Sequence, residues 1–359
     1  MAEDEKQAVL EEKEHLLKDC EDIQQVLDAQ GTKVDFSGLV ASLMGDGAVL
    51  SKEHLWKTAA ALFSGELKER REQLLFLIGL TLITGVLVNY SDLFRSGKTS
   101  EIAYYACYLM LFTSLAGTYY MEMDLAREAF THLISFMRVL MPSYFISLSF
   151  QGTVGSSVLF YESSLFVISL VERIILYLLI PLSNCYFLIL LSDYIGKKER
   201  FSKLAELIAL VIRWTLNTLL AAVAGFHVIE GLILPYKDRL ERSVLLNGME
   251  AAPFVGNSVQ GIARTLTGGG LVIKNAIGAA GLIVLVCICA IPVLRLFFHS
   301  FLYKFVAAIT QPAAERRFGK ALGAAAEAVS LLGRMVFTGA ALFFLTIAIV
   351  SGTTSLGAL

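Results

Sequence analysis

Charge is scarce in this 359-residue chain. Asp, Glu, Lys and Arg make up 17% of it, hydrophobic residues 56%, and the mean hydropathy is +0.65. A soluble protein carries about a quarter charged residues, so the composition argues against a soluble fold. Six windows hold no charge at all: 74–91, 102–121, 139–161, 174–192, 275–294 and 335–359. Most reach the roughly 17–25 residues a helix needs to cross hydrocarbon. A further apolar run, 204–234, is interrupted only by Glu206, Arg213 and Glu230. The reading is an all-α, polytopic helical membrane protein, with membrane lipid as its solvent.

Other scarcities exclude functions. A net charge of −2 offers nucleic acid no basic surface, so no nucleic-acid partner is expected. The five cysteines fall mostly inside the apolar runs, and Cys287 and Cys289, two apart, point to different helix faces. Five scattered histidines show no ligand spacing. No metal, cofactor or catalytic residue is expected, and the protein is not read as an enzyme. His227 and His299 lie in or beside apolar runs, where a lone histidine more often bonds to a neighbouring helix. The chain as written starts without the basic region, apolar stretch and small-residue cleavage site of a signal peptide.

The first seventy residues differ. Leu16, Leu17, Ile23, Val26 and Leu27 make a stripe on a charged helix, with Gly31 as its stop. FSGLVASLMGDG and LSKEHLWKTAAALFSGELKERREQ read as short amphipathic helices near a membrane surface.

Prolines number only six, which exposes a repeat. Pro142 and Pro181 are 39 apart, as are Pro253 and Pro292, and the pairs are offset by 111 residues. Phe201 and Lys203 then match Phe318 and Lys320 at an offset of 117, and Arg213 and Arg334 follow on the next helices. QGTVGSSVLF and TLTGGGLVIK hold equivalent small-residue positions. An internal parallel repeat follows. The chain divides into a charged, amphipathic helical region (1–72), a first transmembrane hairpin (73–128), repeat A (129–240) and repeat B (241–359).

Residues 253–281 hold seven glycines, Gly268, Gly269 and Gly270 in succession. Non-helical backbone survives at membrane depth only when buried in protein or lining water. With Arg264 and Lys274 nearby, the stretch reads as a re-entrant or broken glycine-rich helical segment. The alternative is close helix packing without a pore. Broken helices in matching places of two repeats point to a transport path.

Charge places the loops. Lys197, Lys198, Arg200 and Lys203 form one basic loop, and Arg316, Arg317 and Lys320 another, so 197–203 and 313–320 belong together on the cytoplasmic side. RSGKTSEIA is a weaker third relative. MEMDLARE (121–128) reads as an acidic loop facing out. Lys68, Arg70 and Arg71 beside the first span resist that orientation. Arg138, Glu162, Glu172, Arg173, Arg213, Glu230, Arg295, Lys304 and Arg334 should face the interior, water or the interface. Structural pairing and snorkelling are the default reading, and ion coupling the weaker one.

The stretch from Pro253 to Pro312 resembles the C-terminal core of the stage III sporulation protein AE family. The matching positions are Pro253, Gly256, Val272, Ile273, Lys274, Asn275, Gly278, Gly281, Pro292, Tyr303, Lys304, Ala307, Gln311 and Pro312, and FFLTIAIVSG resembles the family's last span. The resemblance covers roughly 36–352. Members usually begin with a cleavable signal sequence, which this chain lacks. The resemblance implies a multi-pass component, in the mother-cell membrane around the forespore, of the complex that joins the two cells. The implied partners are other stage III sporulation proteins of the same operon, namely an ATPase and ring-forming subunits, and a forespore protein. No catalytic residues come with it.

A channel or export-platform subunit is therefore expected, supporting forespore development. An autonomous secondary transporter of a small metabolite, or a non-conducting scaffold, are the alternatives. Self-association into a homo-oligomer stays open. The structural or pathway candidates are Pro142, Pro181, Pro253, Pro292, Gly268, Gly269, Gly270, Lys274, Asn275, Gly278, Gly281, Arg213, Arg334 and Lys304.

Overall fold

The computed structural model describes residues 71–93, 97–149, 154–196, 200–249, 256–312 and 315–353, with side chains for 71–87, 101–145, 158–196, 200–230, 276–312 and 315–349. The amphipathic helices expected before residue 71 and the position of Pro253 lie outside the described residues. Helices follow one another: α1 (Arg71–Leu93), α2 (Gly97–Ser149), α3 (Val154–Glu172), α4 (Ile180–Asp193), α5 (Ser202–Met249), α6 (Gly256–Thr310) and α7 (Arg316–Thr353). A wide, π-helical stretch, Arg173–Leu179, joins α3 to α4. No strand occurs among the described residues. Four helical segments are long and apolar enough to cross a membrane by length and composition: Val158–Asp193, Ser202–Glu230, Ala276–Thr310 and Arg316–Ile349.

α7 is the hub. It packs along α6 as an antiparallel hairpin and also touches α2, α3, α4 and α5. Small side chains allow this: Ala321, Ala324, Ala325, Ala326 and Ala328 are all buried, letting neighbouring backbones approach. α2 crosses the same hub. Gly339 of α7 meets the Phe130 ring, and a Cβ there would collide with it; a Cβ on Gly281 of α6 would lie 2.9 Å from Leu140 Cδ2. α5 turns one stripe inward, Ala205, Ala209, Ile212, Leu216, Leu219, Val223 and His227, at helical spacing. Its other face exposes Leu207, Leu210, Val211 and Trp214, as a lipid-facing helix does.

Two expectations are corrected, and the matched positions of the repeat are then compared. MEMDLARE is not a loop: residues 121–128 are helical, in the middle of α2. No glycine or proline falls between Gly117 and Pro142, so nothing there ends the helix. At 53 residues α2 is about 80 Å long, far more than one crossing requires, and the boundary drawn at residue 129 falls inside it.

Next, Gly268–Gly270 lie within the continuous helix α6 rather than at a break. Each glycine costs a helix about 1 kcal/mol relative to alanine. An unsatisfied backbone group in hydrocarbon costs several kcal/mol, so the hydrogen-bonded ladder wins.

Lastly, the matched residues differ in surroundings. Phe201 is 55% exposed, whereas Phe318 is fully buried. The prolines differ likewise. Pro292 sits inside α6, but Pro181 follows the π stretch, where the Ile180 amide donates to the Ile175 carbonyl five residues back. That widened turn precedes the ring where the backbone has no donor to offer. Pro142 sits inside α2.

Candidate functional site

Polar side chains cluster at three levels along the bundle. The first is the end where the basic turns lie. Asp193, buried at the end of α4, accepts from the amides of Arg200 (2.7 Å) and Phe201 (3.0 Å) and so closes the α4–α5 turn. The start of α2 meets this turn: Tyr104 donates to the Tyr194 carbonyl (2.7 Å) and Tyr108 to the Leu191 carbonyl (2.6 Å). Phe318 stands edge-on to both tyrosine rings, 5.8 and 5.7 Å between centroids. Arg317 stacks on Tyr104, bonds Glu315 (2.8 Å) and reaches the Ile195 carbonyl (3.5 Å). The two basic turns therefore share one end with the start of α2, as their charge requires of loops on one side.

Deeper in, Tyr119 stacks on Phe187 with centroids 4.1 Å apart, and its hydroxyl meets Ser183 at 2.9 Å. One turn on, Glu122 of α2 and His299 of α6 are buried together, Oε2 to Nδ1 at 2.8 Å. His299 is eleven residues from the end of α6, about 16 Å along the axis. Composition hid this pair. Glu122 stands among Asp124, Arg127 and Glu128, which read as solvated. The signal that could have revealed it is the uninterrupted helical stretch around it.

Towards the other end, three helices meet at His227 of α5. Its Nε2 faces Thr346 Oγ1 of α7 at 2.9 Å, and its Nδ1 faces Glu230 Oε2 at 3.1 Å. Glu230 Oε1 accepts from Ser163 of α3. His227 is fully buried, and the Glu230 side chain is 8% exposed. The expectation that a lone histidine here bonds a neighbouring helix holds for His227 and for His299. Ordered buried carboxylates, which the sequence did not reveal, are also present.

Other charges pair across helices. Arg138 of α2 binds Glu172 of α3, and Arg213 of α5 lies 3.7 Å from Glu327 of α7. Arg173, Arg334, Lys304 and Glu162 are exposed. Among the sequence candidates, Gly278 and Gly281 are buried, Pro142 and Pro292 partly so, and Pro181 is exposed. The side chains of Lys274 and Asn275 lie outside the described residues. Among the described residues, no hydrogen bond or ion pair joins two of these candidates, so they do not form one site. No group of His, Cys, Asp and Glu that could hold a metal occurs among the described residues.

No solved structure matches the chain. Stage III sporulation protein AE of Bacillus subtilis (strain 168) is 24% identical over 276 residues, which is 76% of this chain and 69% of that protein. The family profile described as stage III sporulation protein AE matches residues 34–354, nearly the whole chain including all seven described helices, and the protein therefore belongs to the stage III sporulation protein AE family.

Proposed function

We propose that this protein is a multi-pass channel or export-platform subunit of the complex that links mother cell and forespore, acting in the mother-cell membrane to support forespore development. The observation that carries the reading is membership of a sporulation family by a chain with four helices long and apolar enough to span a membrane. A complex-bound role also suits the exposed apolar face of α5 and the two basic turns held together at one end, which could receive an ATPase. The proposed partners are that ATPase, the ring-forming proteins of the same operon and a forespore protein. The parallel repeat belongs to this proposal: in each half, a helix containing a proline leads through a basic turn into a second apolar helix.

A second reading has its own support. Buried carboxylate–histidine pairs, Glu122–His299 and His227–Glu230, are the groups a proton-coupled secondary transporter would use.

The test is purification of the tagged protein from membranes of sporulating cells, with mass analysis of what accompanies it. Recovery with the ATPase and ring proteins is expected. Recovery without any operon product, from cells that still complete sporulation when those products are removed, would overturn the complex-bound role in favour of the transporter.

A further inference from the structure

Two outer faces of the bundle stand at one height and differ in chemistry. α7 sets the height. Glu122 of α2 meets His299 of α6, whose neighbour Ser300 donates to the Ala326 carbonyl of α7 at 2.7 Å. Further along α2, Phe130 lies against Gly339 of α7. On α5, Arg213 lies 3.7 Å from Glu327, and His227 lies 2.9 Å from Thr346. Residues 122–130 of α2 and 213–227 of α5 thus flank the same stretch of α7.

Between Arg213 and His227, α5 carries no charge, and it exposes Trp214, Leu220, Ala222 and Phe226. That surface suits hydrocarbon. Over the matching stretch α2 exposes Asp124, Arg127, Glu128 and Thr131. Steps of three and four residues put them on one helix face. The start of α1 adds to this charge: Gln73 bonds Thr118, which brings the exposed Arg71 and Glu72 to a similar level. Arg334, exposed on α7 within the same stretch, is a further charge unsuited to lipid. Charged side chains at membrane depth face the protein interior or water. The α2 face is exposed, so it is not the interior of this bundle. Water remains.

We propose that the face of α2 from Asp124 to Thr131 lines an aqueous path at membrane depth, enclosed where copies of this chain stand with these faces toward one another. Copies in one membrane share an orientation, so the face recurs at one height around the path. Arg127 stands between Asp124 and Glu128, so neighbouring copies bring together both signs of charge. The proposal rests on the channel reading and names the helix that lines the channel.

The test is cysteine accessibility in membranes from sporulating cells, using a full chain whose native cysteines are replaced by alanine. Single cysteines are placed by Thr131→Cys and Ala222→Cys. Both positions lie near the height of Gly339: Thr131 follows Phe130, and Ala222 lies between Arg213 and His227. A charged methanethiosulfonate reagent, supplied to both sides of the membrane, reacts with the thiolate, which forms in water. Thr131→Cys should react and Ala222→Cys should not. A bifunctional maleimide should then join copies of the Thr131→Cys chain into dimers on a denaturing gel. Reaction at both positions would put this height outside the bilayer, and reaction at neither would put the α2 face in a protein contact. Either result overturns the proposal. Reaction at Thr131→Cys without cross-links between copies overturns the enclosure. Should the cysteine-free chain lose spore yield, the two substitutions are read in the native chain as labelling above wild type. Membership of the complex is read separately, by co-purification, and can stand when this proposal fails.

Discussion

Arg317 lies over Tyr104, its guanidinium carbon 3.5 Å from the ring centroid, while one of its nitrogens reaches the carbonyl of Ile195, 122 residues away in sequence. One side chain thus ties the start of α2 to both basic turns. A cation over a tyrosine face contributes about 0.5–2 kcal/mol depending on desolvation. Arg317→Ala should therefore lower thermal stability in detergent, and Arg317→Lys, which keeps charge but loses the planar stack, should recover only part of it. Full stability in the alanine variant would show that the turns are held by the aromatic cluster without the arginine.

Sidedness follows from the same contact. Arg200 and Arg316 are both exposed at this end. Single cysteines at these positions should behave alike, and reagent applied outside intact cells should label neither if the end is cytoplasmic. Labelling of one without the other contradicts the shared end. Labelling of both keeps the fold and reverses its orientation.

Gly339 has no room for a side chain, because the Phe130 ring fills the space a Cβ would take. Gly339→Ala should cost about 1–3 kcal/mol, the usual penalty of overpacking a filled interior. Adding Phe130→Leu should restore part of the loss, since the two changes act on one contact. Additive losses in the double variant, read by thermal unfolding, would place the strain elsewhere.

Glu122 and His299 should depend on each other. Glu122→Ala leaves a buried imidazole facing an emptied site, and breaking a buried pair typically costs about 3–5 kcal/mol. Glu122→Gln keeps a hydrogen-bonding group opposite Nδ1 and should cost clearly less. Equal losses for the two variants would mean that the carboxyl serves packing volume rather than the histidine.

The glycine triplet can be tested without assuming a break. Within a continuous helix, Gly269→Ala should raise helix stability by about 1 kcal/mol. Spore yield should survive Gly269→Ala and fail with Gly269→Leu if the triplet provides room for a neighbouring backbone. Failure with alanine as well would show that the chain must leave the helical state there. Normal yield with leucine would make the stretch a passive linker. An immunoblot of the membrane fraction separates each outcome from simple loss of the protein.

Composition alone determined the class of this molecule. Charge-free windows long enough for lipid impose helices, because the backbone must satisfy its own hydrogen bonds there, and that constraint is local. Basic clusters likewise predicted that the turns around residues 200 and 316 share an end, since the rule acts on loops one at a time. Residue spacing could not show that α2 runs unbroken through MEMDLARE, nor that Phe201 and Phe318 differ in burial. Both depend on what packs alongside. The buried pairs were the least legible of all. Glu122 and His299 stand 177 positions apart, His227 and Thr346 119 apart, and each alone looks like an ordinary polar residue. Only the packing of α2, α5, α6 and α7 removes them from water together, and that desolvation turns isolated side chains into groups that must find hydrogen-bond partners in one another.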